Sequence, residues 1–348
     1  MKITEIAAPG YERVAHFEDE KTGLNAIISV HNTALGPAIG GCRMFPYQNF
    51  DEGLDDVLRL SRGMTYKNAL AKIPFGGGKS VIFGDPAKDK TPDLMRAFGA
   101  AVETFDGKYN TAEDSGIGEE DLKYVRETTS HVGGIHDKDH PGGNPSPYTA
   151  RGVWRGVQAT ARHKLGAETL SGVKVIVLGL GAVGMELCRL LNEEGAELIV
   201  ADINDAKAAE AREKFGASVV SVADADSQEA DVFAPCALGG AINSQNIDKL
   251  KVRAVAGAAN NQLRTPEMGQ ALMDKGILYA PDYVINAAGV ISVGLDFMGK
   301  WSNEELNRRC DGIAATLTDI YIRSDREKQP TNVIADKMAE EIFGGARN

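Results

Sequence analysis

The sequence predicts an α/β fold in two domains, and three observations predict it. Beyond residue 150, short continuous apolar runs alternate with helical patterns, which implies a parallel sheet covered on both faces by helices. One of those runs leads directly into Gly179-Leu180-Gly181-Ala182-Val183-Gly184. Between the two halves, residues 133 to 147 change character to Gly-Gly, Asp-Lys-Asp-His and Pro-Gly-Gly-Asn-Pro-Ser-Pro, the composition of a loop and of an interdomain hinge.

In the first half, Ala26-Ile27-Ile28-Ser29-Val30 reads as a strand and a helix runs from about Glu52 to Ala71. Gly76-Gly77-Gly78-Lys79 precedes a short strand, Ser80-Val81-Ile82-Phe83, which Gly84-Asp85-Pro86 ends. Thr91-Pro92 opens a further helix, with Thr at the N-cap and Pro at the first helical position. In the second half the strands are Val173 to Leu178, Glu197 to Ala201, Asp231 to Ala234, Ala254 to Ala256 and Ile277 to Ala280. A helix from Met185 to Glu194 separates the first two, and the tail beyond about Asp325 is polar and helical. These elements give an N-terminal domain over 1–135 and a second domain over 140–325, with 326–348 packing back on the first.

Composition sets the bounds. The chain has 348 residues, 43% of them hydrophobic, enough for two cores. A net charge of −11 argues against nucleic-acid partners, which require a basic face. No apolar run approaches the roughly 18 residues of a membrane span, and Met1-Lys2-Ile3-Thr4-Glu5 has no apolar signal core, so a cytoplasmic protein is expected. Cys42, Cys188, Cys236 and Cys310 are scattered and read as reduced structural thiols.

The glycine motif has the context of a dinucleotide site: a strand before it, a helix after it, and a second strand that ends in Asp202. Gly179 permits the tight turn, Gly181 lets backbone approach a pyrophosphate, and Gly184 lets helix pack on strand. The helix N-terminus favours phosphate. The Asp202 carboxylate accepts hydrogen bonds from ribose hydroxyls and repels a 2′-phosphate, which points to NAD rather than NADP.

The chemistry-bearing residues of the first half are Lys67, Lys79 and Asp114. Lys67 continues a stripe of Val57, Leu60 and Met64 at helical spacing, so it faces either a pocket or, snorkelling, the solvent. Lysine beside a glycine run can be held in a partly dry site, where it can act as a base. Gly78-Lys79-Ser80 is not a P-loop, because that motif requires glycine where Ile73 stands. Thr111-Ala112-Glu113-Asp114-Ser115-Gly116 offers a carboxylate for proton transfer, or else caps the helix begun by Glu119. His131, His136 and His140 lack companion cysteines and a helical register, so no metal site is expected.

Taken in order, several segments resemble the glutamate/leucine/phenylalanine/valine dehydrogenase family, and within it the leucine dehydrogenases most. They are Leu35 to Met44, Met64 to Ala69, Gly76 to Lys79, Thr111 to Asp114, Gly143 to Pro147, Ala234 to Gly240 and Ala280 to Ala287, and the likeness spans nearly the whole chain. It implies a substrate domain and a Rossmann-type NAD-binding domain with a cleft between them. The reaction implied is reversible oxidative deamination: an L-amino acid, NAD and water give a 2-oxo acid, ammonium and NADH. By that resemblance Lys67 binds the substrate carboxylate, helped by backbone at Gly40 and Gly41. Lys79 activates the attacking water, and Asp114 exchanges protons with the substrate nitrogen. Thr149 and Asn261 hold the nicotinamide amide and the substrate, while Ala237 and Asn260 border the cofactor.

The resemblance also marks a side-chain pocket at Ile39, Met64, Ala112, Val290 and Val293. All five are apolar, and none pairs with a γ-carboxylate, which argues against glutamate. Aliphatic walls suit leucine, isoleucine and valine, and so branched-chain amino acid catabolism; phenylalanine, which needs more room, is the alternative. Members of the family are homo-oligomers, and the tail ends sooner after Met338-Ala339-Glu340-Glu341 than the resemblance leads one to expect, which counts against the larger assemblies. A hydroxy-acid dehydrogenase would require a His beside a carboxylate, and the histidines stand in the wrong segments. A regulator on the same scaffold would be expected to lose Lys67, Lys79 or Asp114, and all three are present.

Overall fold

A computed structural model of the chain describes residues 1–135 and 145–345. His136, His140, Gly143 and Asn144 lie outside the described residues. The chain divides into two compact units, Met1–Gly143 with Val290–Ser302 and Ala339–Asn348, and Asn144–Gly289 with Asn303–Met338. The boundaries differ from those read in the sequence: residues 290–302 group with the first unit, and the tail divides at Ala339.

The first unit begins with β1 (Lys2–Glu5), β2 (Arg13–Asp19), β3 (Leu24–Asn32), β4 (Ala38–Ile39), β5 (Cys42–Phe45) and α1 (Phe50–Leu70). It continues with β6 (Gly76–Phe83), α2 (Pro92–Glu103), β7 (Tyr109–Asn110) and α3 (Glu119–Arg126). The strands form one sheet in the order β1-β2-β3-β6-β4-β7, with β5 also paired to β6. Strands β1, β2, β3 and β6 pair antiparallel with one another in turn, whereas β4 and β5 join β6 in parallel.

Side chains alternate across a strand, so each face of this sheet has its own cover. Ala26, Ile28 and Val30 of β3 join Leu94, Met95, Phe98 and Val102 of α2 and Leu122 of α3 in one core. Ile27 of β3 and Val81 of β6 face the other way, with Val14 and Val57 of α1. Both helices start on side-chain caps: Asn49 accepts from the Glu52 N–H and Thr91 from the Leu94 N–H, with Pro92 in the first turn.

Two features depart from the sequence reading. The glycine run is not a loop before a strand: Gly76, Gly77 and Gly78 are the first three residues of β6, which places Lys79 inside the strand. A Cβ at Gly77 would lie 2.0 Å from the Thr65 backbone nitrogen, so what this glycine lets approach is α1 itself. In addition, α1 buries Gly53, Val57, Ser61, Thr65 and Asn68, while Leu60 and Met64 of the apolar stripe are only half-buried. Close seating on the strands selects small side chains there, and Ser61 and Ser29 share a buried 2.9 Å hydrogen bond across the gap.

The second unit opens with α4 (Ser146–Leu165), β8 (Lys174–Leu178), α5 (Ala182–Glu193), β9 (Glu197–Ala201), α6 (Asp205–Phe215) and β10 (Ser218–Val219). Then come β11 (Val232–Pro235), β12 (Ala254–Val255), α7 (Met268–Asp274), β13 (Leu278–Tyr279) and α8 (Asp282–Ile285). The helices α9 (Ala288–Phe297), α10 (Asn303–Glu327) and α11 (Thr331–Gly345) complete the chain. All six strands are parallel, in the order β10-β9-β8-β11-β12-β13. The chain works outward from β8 to β10 and then returns to β11 on the other side of β8, so the order reverses there. Ligands of such sheets bind at that reversal, beyond the carboxyl ends of the strands. No helix among the described residues is long and apolar enough to cross a membrane.

Candidate active site

In the first unit the site forms around β6. Lys79 is 5% exposed, and its register is set by antiparallel pairing with Ser29. Its ammonium lies 3.0 Å from Oδ1 of Asp114, and the other oxygen, Oδ2, accepts from Nε of Arg43 at 2.9 Å. Burial alone would push the Asp114 carboxyl up; the Lys79 ammonium and the Arg43 guanidinium outweigh it and hold Asp114 below the usual aspartate range.

Asp114 does not cap α3. That role belongs to the Gly118 backbone, whose N–H is accepted by the Asp121 carboxylate. Asp114 instead sits in a short irregular turn bridged to Ile117, following Thr111, which bridges to Val132. Gly41 lets this turn approach: a Cβ there would lie 2.2 Å from the Glu113 carbonyl oxygen and 3.1 Å from Cβ of Asp114. At Gly40 a Cβ would lie 1.7 Å from the Gly78 carbonyl oxygen and 3.3 Å from Met64 Cγ. Gly40 donates its N–H to Asn110, and its carbonyl accepts from the buried Tyr109 hydroxyl at 2.6 Å. Tyr109 also meets Ser80, so a buried polar cluster fixes the glycine turn to β6.

The remaining predicted residues fall in the same unit. Lys67 is half-buried in the last turn of α1, where a cation suits the helix terminus. Ile39 ends β4, Ala112 accepts the Cys42 N–H, and both are buried. Val290 and Val293 lie on α9, whose Gly294 would place a Cβ 3.2 Å from Cδ1 of Ile73. Cys42, between Gly41 and Arg43, is no nucleophile: burial pushes its thiol up to about 12. His131 lies near Glu103, away from these groups.

Two polar residues here escaped the sequence reading as actors, Arg43 and Asp56. The Arg43 Nη1 donates to Oδ2 of Asp56 at 2.9 Å. Their signal in the sequence is weak, because a lone Asp on a helix and an Arg in a strand look like ordinary surface charges.

In the second unit, Gly179 has a φ of +102°, which favours glycine, and a Cβ there would lie 2.6 Å from Cβ of Ala237. Gly184 packs the helix on the turn, since a Cβ would lie 1.9 Å from the Gly179 carbonyl oxygen. Gly181 differs: as the N-cap of α5 it makes no side-chain cap bond, and a Cβ there would meet no protein atom within 4 Å. Leu180, Ala182 and Val183 complete the turn into α5. Asp202 follows β9 and accepts the Leu180 N–H at 2.5 Å and the Asn204 N–H at 2.7 Å. An open backbone cradle at a helix N-terminus, with a carboxylate held beside it, fits a dinucleotide.

Beyond β11 and β12, Gly239 and Gly240 meet Asn260 and Asn261, while Ala237 faces Gly179. Gly240 donates to the Asn261 carbonyl at 2.7 Å, and Asn260 accepts from Asn286 at 2.8 Å. Asn261 has a φ of +52°, a left-handed conformation that asparagine tolerates. Thr149 lies in the first turn of α4, its N–H bonded to the Pro145 carbonyl. Ile203 and Leu238, neighbours of Asp202 and Ala237, are 92% and 85% exposed, large apolar side chains beside the cradle that the sequence reading passed over.

Residues 11–131 match the pattern described as the Glu/Leu/Phe/Val dehydrogenase dimerisation domain, and residues 202–342 match that of Glutamate/Leucine/Phenylalanine/Valine dehydrogenase. A leucine dehydrogenase of Geobacillus stearothermophilus is 48% identical over 95% of this chain and 90% of that protein. A phenylalanine dehydrogenase of Bacillus thermotolerans is 44% identical over 95% and 88%. The crystal structure of L-tryptophan dehydrogenase from Nostoc punctiforme superposes with a TM-score of 0.87 at 40% identity, covering 97% of both chains. The chain thus belongs to the Glu/Leu/Phe/Val dehydrogenase family and is an amino acid dehydrogenase, an oxidoreductase.

Proposed function

We propose that the protein catalyses the reversible oxidative deamination of branched-chain L-amino acids, leucine first, with NAD as the acceptor. The observation that carries this reading is the buried Lys79–Asp114 pair at 3.0 Å, in the same unit as Lys67 and a set of aliphatic side chains. Likeness to leucine dehydrogenases supports the choice of substrate.

The Lys67 ammonium binds the substrate carboxylate. Gly40 already donates its N–H to Asn110, which leaves Gly41 as the donor of the glycine pair. Asp114 exchanges protons with the substrate nitrogen. The hydride leaves Cα for the acceptor that NAD would supply when bound. Lys79 then takes a proton from the water that adds to the imine carbon, and Asp114 protonates the nitrogen; the C–N bond breaks as the adduct's hydroxyl becomes the oxo group, and the released ammonia and hydroxyl proton together make ammonium. Gly179 to Gly184 would hold the pyrophosphate and Asp202 the ribose, with Thr149, Ala237, Asn260 and Asn261 about the nicotinamide. Ile39, Met64, Ala112, Val290 and Val293 form the side-chain pocket, which has no cation for a γ-carboxylate. Such a pocket discriminates one methylene by only about 1–3 kcal/mol, so leucine, isoleucine and valine overlap. Likeness to a phenylalanine and a tryptophan dehydrogenase supports an aromatic amino acid as the second reading. A homo-oligomer is part of the proposal, on the match of residues 11–131 to a dimerisation domain.

The test is NADH formation by purified protein with NAD and L-leucine, valine, phenylalanine, tryptophan or glutamate. Turnover led by a branched-chain substrate is expected. Turnover led by phenylalanine keeps the mechanism and overturns the pocket assignment; no turnover with any of them, despite NADH binding, overturns the activity.

A further inference from the structure

Behind the Lys79–Asp114 pair, charges alternate in a chain across three elements. Lys79 on β6 meets Oδ1 of Asp114 at 3.0 Å, and Arg43 on β5 meets Oδ2 at 2.9 Å. Arg43 in turn reaches Oδ2 of Asp56 on α1 at 2.9 Å. Asp56 is held from two more sides, by the Tyr47 hydroxyl at 2.8 Å and by Arg59 at 2.7 Å. The Arg43 and Asp56 side chains are 25% and 13% exposed, so the link is half-buried, where charge pairs keep more of their strength than at the surface.

We propose that Arg43, anchored by Asp56, is a positioning residue that keeps the Asp114 carboxylate oriented, and ionised until it takes the proton of the substrate nitrogen. The inference rests on the roles proposed above for Lys79 and Asp114. A Lys79 poised to act as base carries no charge, so Asp114 lacks one of its two counter-charges while it must still be ionised to take the proton of the substrate nitrogen. A lysine in place of Arg43 could lose its proton in the same site, but a guanidinium does not. Arg43 therefore supplies a positive charge that the cycle never removes. Its Nε fixes one oxygen of Asp114 and so the plane of the carboxylate, leaving the other oxygen toward Lys79. Asp56 fixes the guanidinium through its far nitrogen.

The same arrangement bears on pH. Burial pushes Asp56 up, but the Tyr47 hydroxyl, Arg43 and Arg59 more than offset it and hold Asp56 below the usual range. Burial and the Asp56 carboxylate push the Tyr47 hydroxyl far up, so it stays a donor. Cys42 and Tyr109 also feel Asp114, and both are raised by burial and so neutral near pH 7.

The test compares Arg43→Gln, Arg43→Lys, Asp56→Asn and Asp114→Asn with the parent enzyme, using L-leucine and NAD. Each is characterised by kcat, KM, the pH profile of kcat/KM and thermal melting. Removal of a positive charge makes protons on Asp114 and its neighbours harder to lose. Arg43→Gln is therefore expected to lower kcat by about tenfold or more, to change KM little, and to move the acid limb up by about one pH unit. Arg43→Lys should return the limb most of the way, whereas Asp56→Asn, which removes a negative charge and loosens Arg43, should lower kcat without raising the limb. An acid limb that stays in place in a well-folded Arg43→Gln variant overturns the proposal, as does a raised KM with kcat intact. If Arg43→Gln does not fold, Asp56→Asn, which still offers Tyr47 an acceptor, decides: an unchanged kcat or a raised acid limb overturns the proposal. Near-normal turnover by Asp114→Asn would instead sink the underlying assignment of Asp114. An inactive Asp114→Asn beside an unshifted Arg43→Gln and an Asp56→Asn with unchanged kcat would sink this inference alone.

Discussion

Lys79 is nearly sealed from water, and its ammonium has a carboxylate oxygen 3.0 Å away. Removing one member of a buried pair ordinarily strands the other charge and destabilises the fold strongly. Here it does not, because Asp114 keeps its 2.9 Å bond to Arg43 on the opposite oxygen. The Lys79→Ala variant is thus expected to fold and to lose turnover, by about 100-fold or more for a missing general base. The glycine turn and Asp202 belong to the other unit, so NADH affinity should remain within about twofold of the parent. Steady-state assays and a fluorescence titration with NADH check both halves. Loss of NADH binding would contradict the role given to Lys79, whereas retained turnover would remove it from the mechanism.

At the scale of elements, α1 and β6 approach so closely that side-chain size is decisive. Gly77 faces the Thr65 nitrogen at 2.0 Å from where a Cβ would lie, and a backbone atom cannot rotate away. Gly77→Ala should therefore cost near the upper end of about 1–3 kcal/mol, seen as a fall in Tm of roughly 6–12 °C. Gly63 lies on the same helix, exposed, and a Cβ there meets nothing within 4 Å. Gly63→Ala should stabilise by about 0.5–1 kcal/mol, since alanine loses less freedom in a helix. Melting curves that move in one direction for both variants would refute the packing argument. The same interface explains what was legible in the sequence. The strands of the second unit announce themselves, because a run buried on both faces is continuously apolar. The dinucleotide turn is equally plain, since each glycine has a distinct steric duty. The first three residues of β6 are hidden, because glycine in a strand looks like a loop. The buried face of α1 is hidden too, because close approach selects Gly, Ser and Thr over the leucines that mark most cores. The Arg43 link could not be read at all, since its partners Asp56 and Asp114 are 13 and 71 residues away in the chain.

The molecule as a whole divides its proposed chemistry between two units. The lysines, Asp114 and the aliphatic pocket residues belong to the unit of Met1–Gly143 with Val290–Ser302, and the glycine turn and Asp202 to that of Asn144–Gly289. Each unit has its own sheet and its own core, so each ligand should leave its imprint where its contacts lie. Backbone amides at a helix N-terminus become protected when a phosphate occupies them, because exchange requires the N–H to open. Hydrogen exchange with NADH alone should accordingly slow residues 179–184, 202–204, 237–240 and 260–262. Little change is expected at residues 39–44, 64–67 and 111–114, which should respond to a branched-chain substrate or 2-oxo acid. The Leu180 and Asn204 amides give an internal reference, since both already donate to Asp202 and should change less than Gly181 or Ala182. NADH protection centred on 111–114 rather than 179–184 would mean that the cofactor is held by the first unit and that the assignment of the glycine turn is wrong.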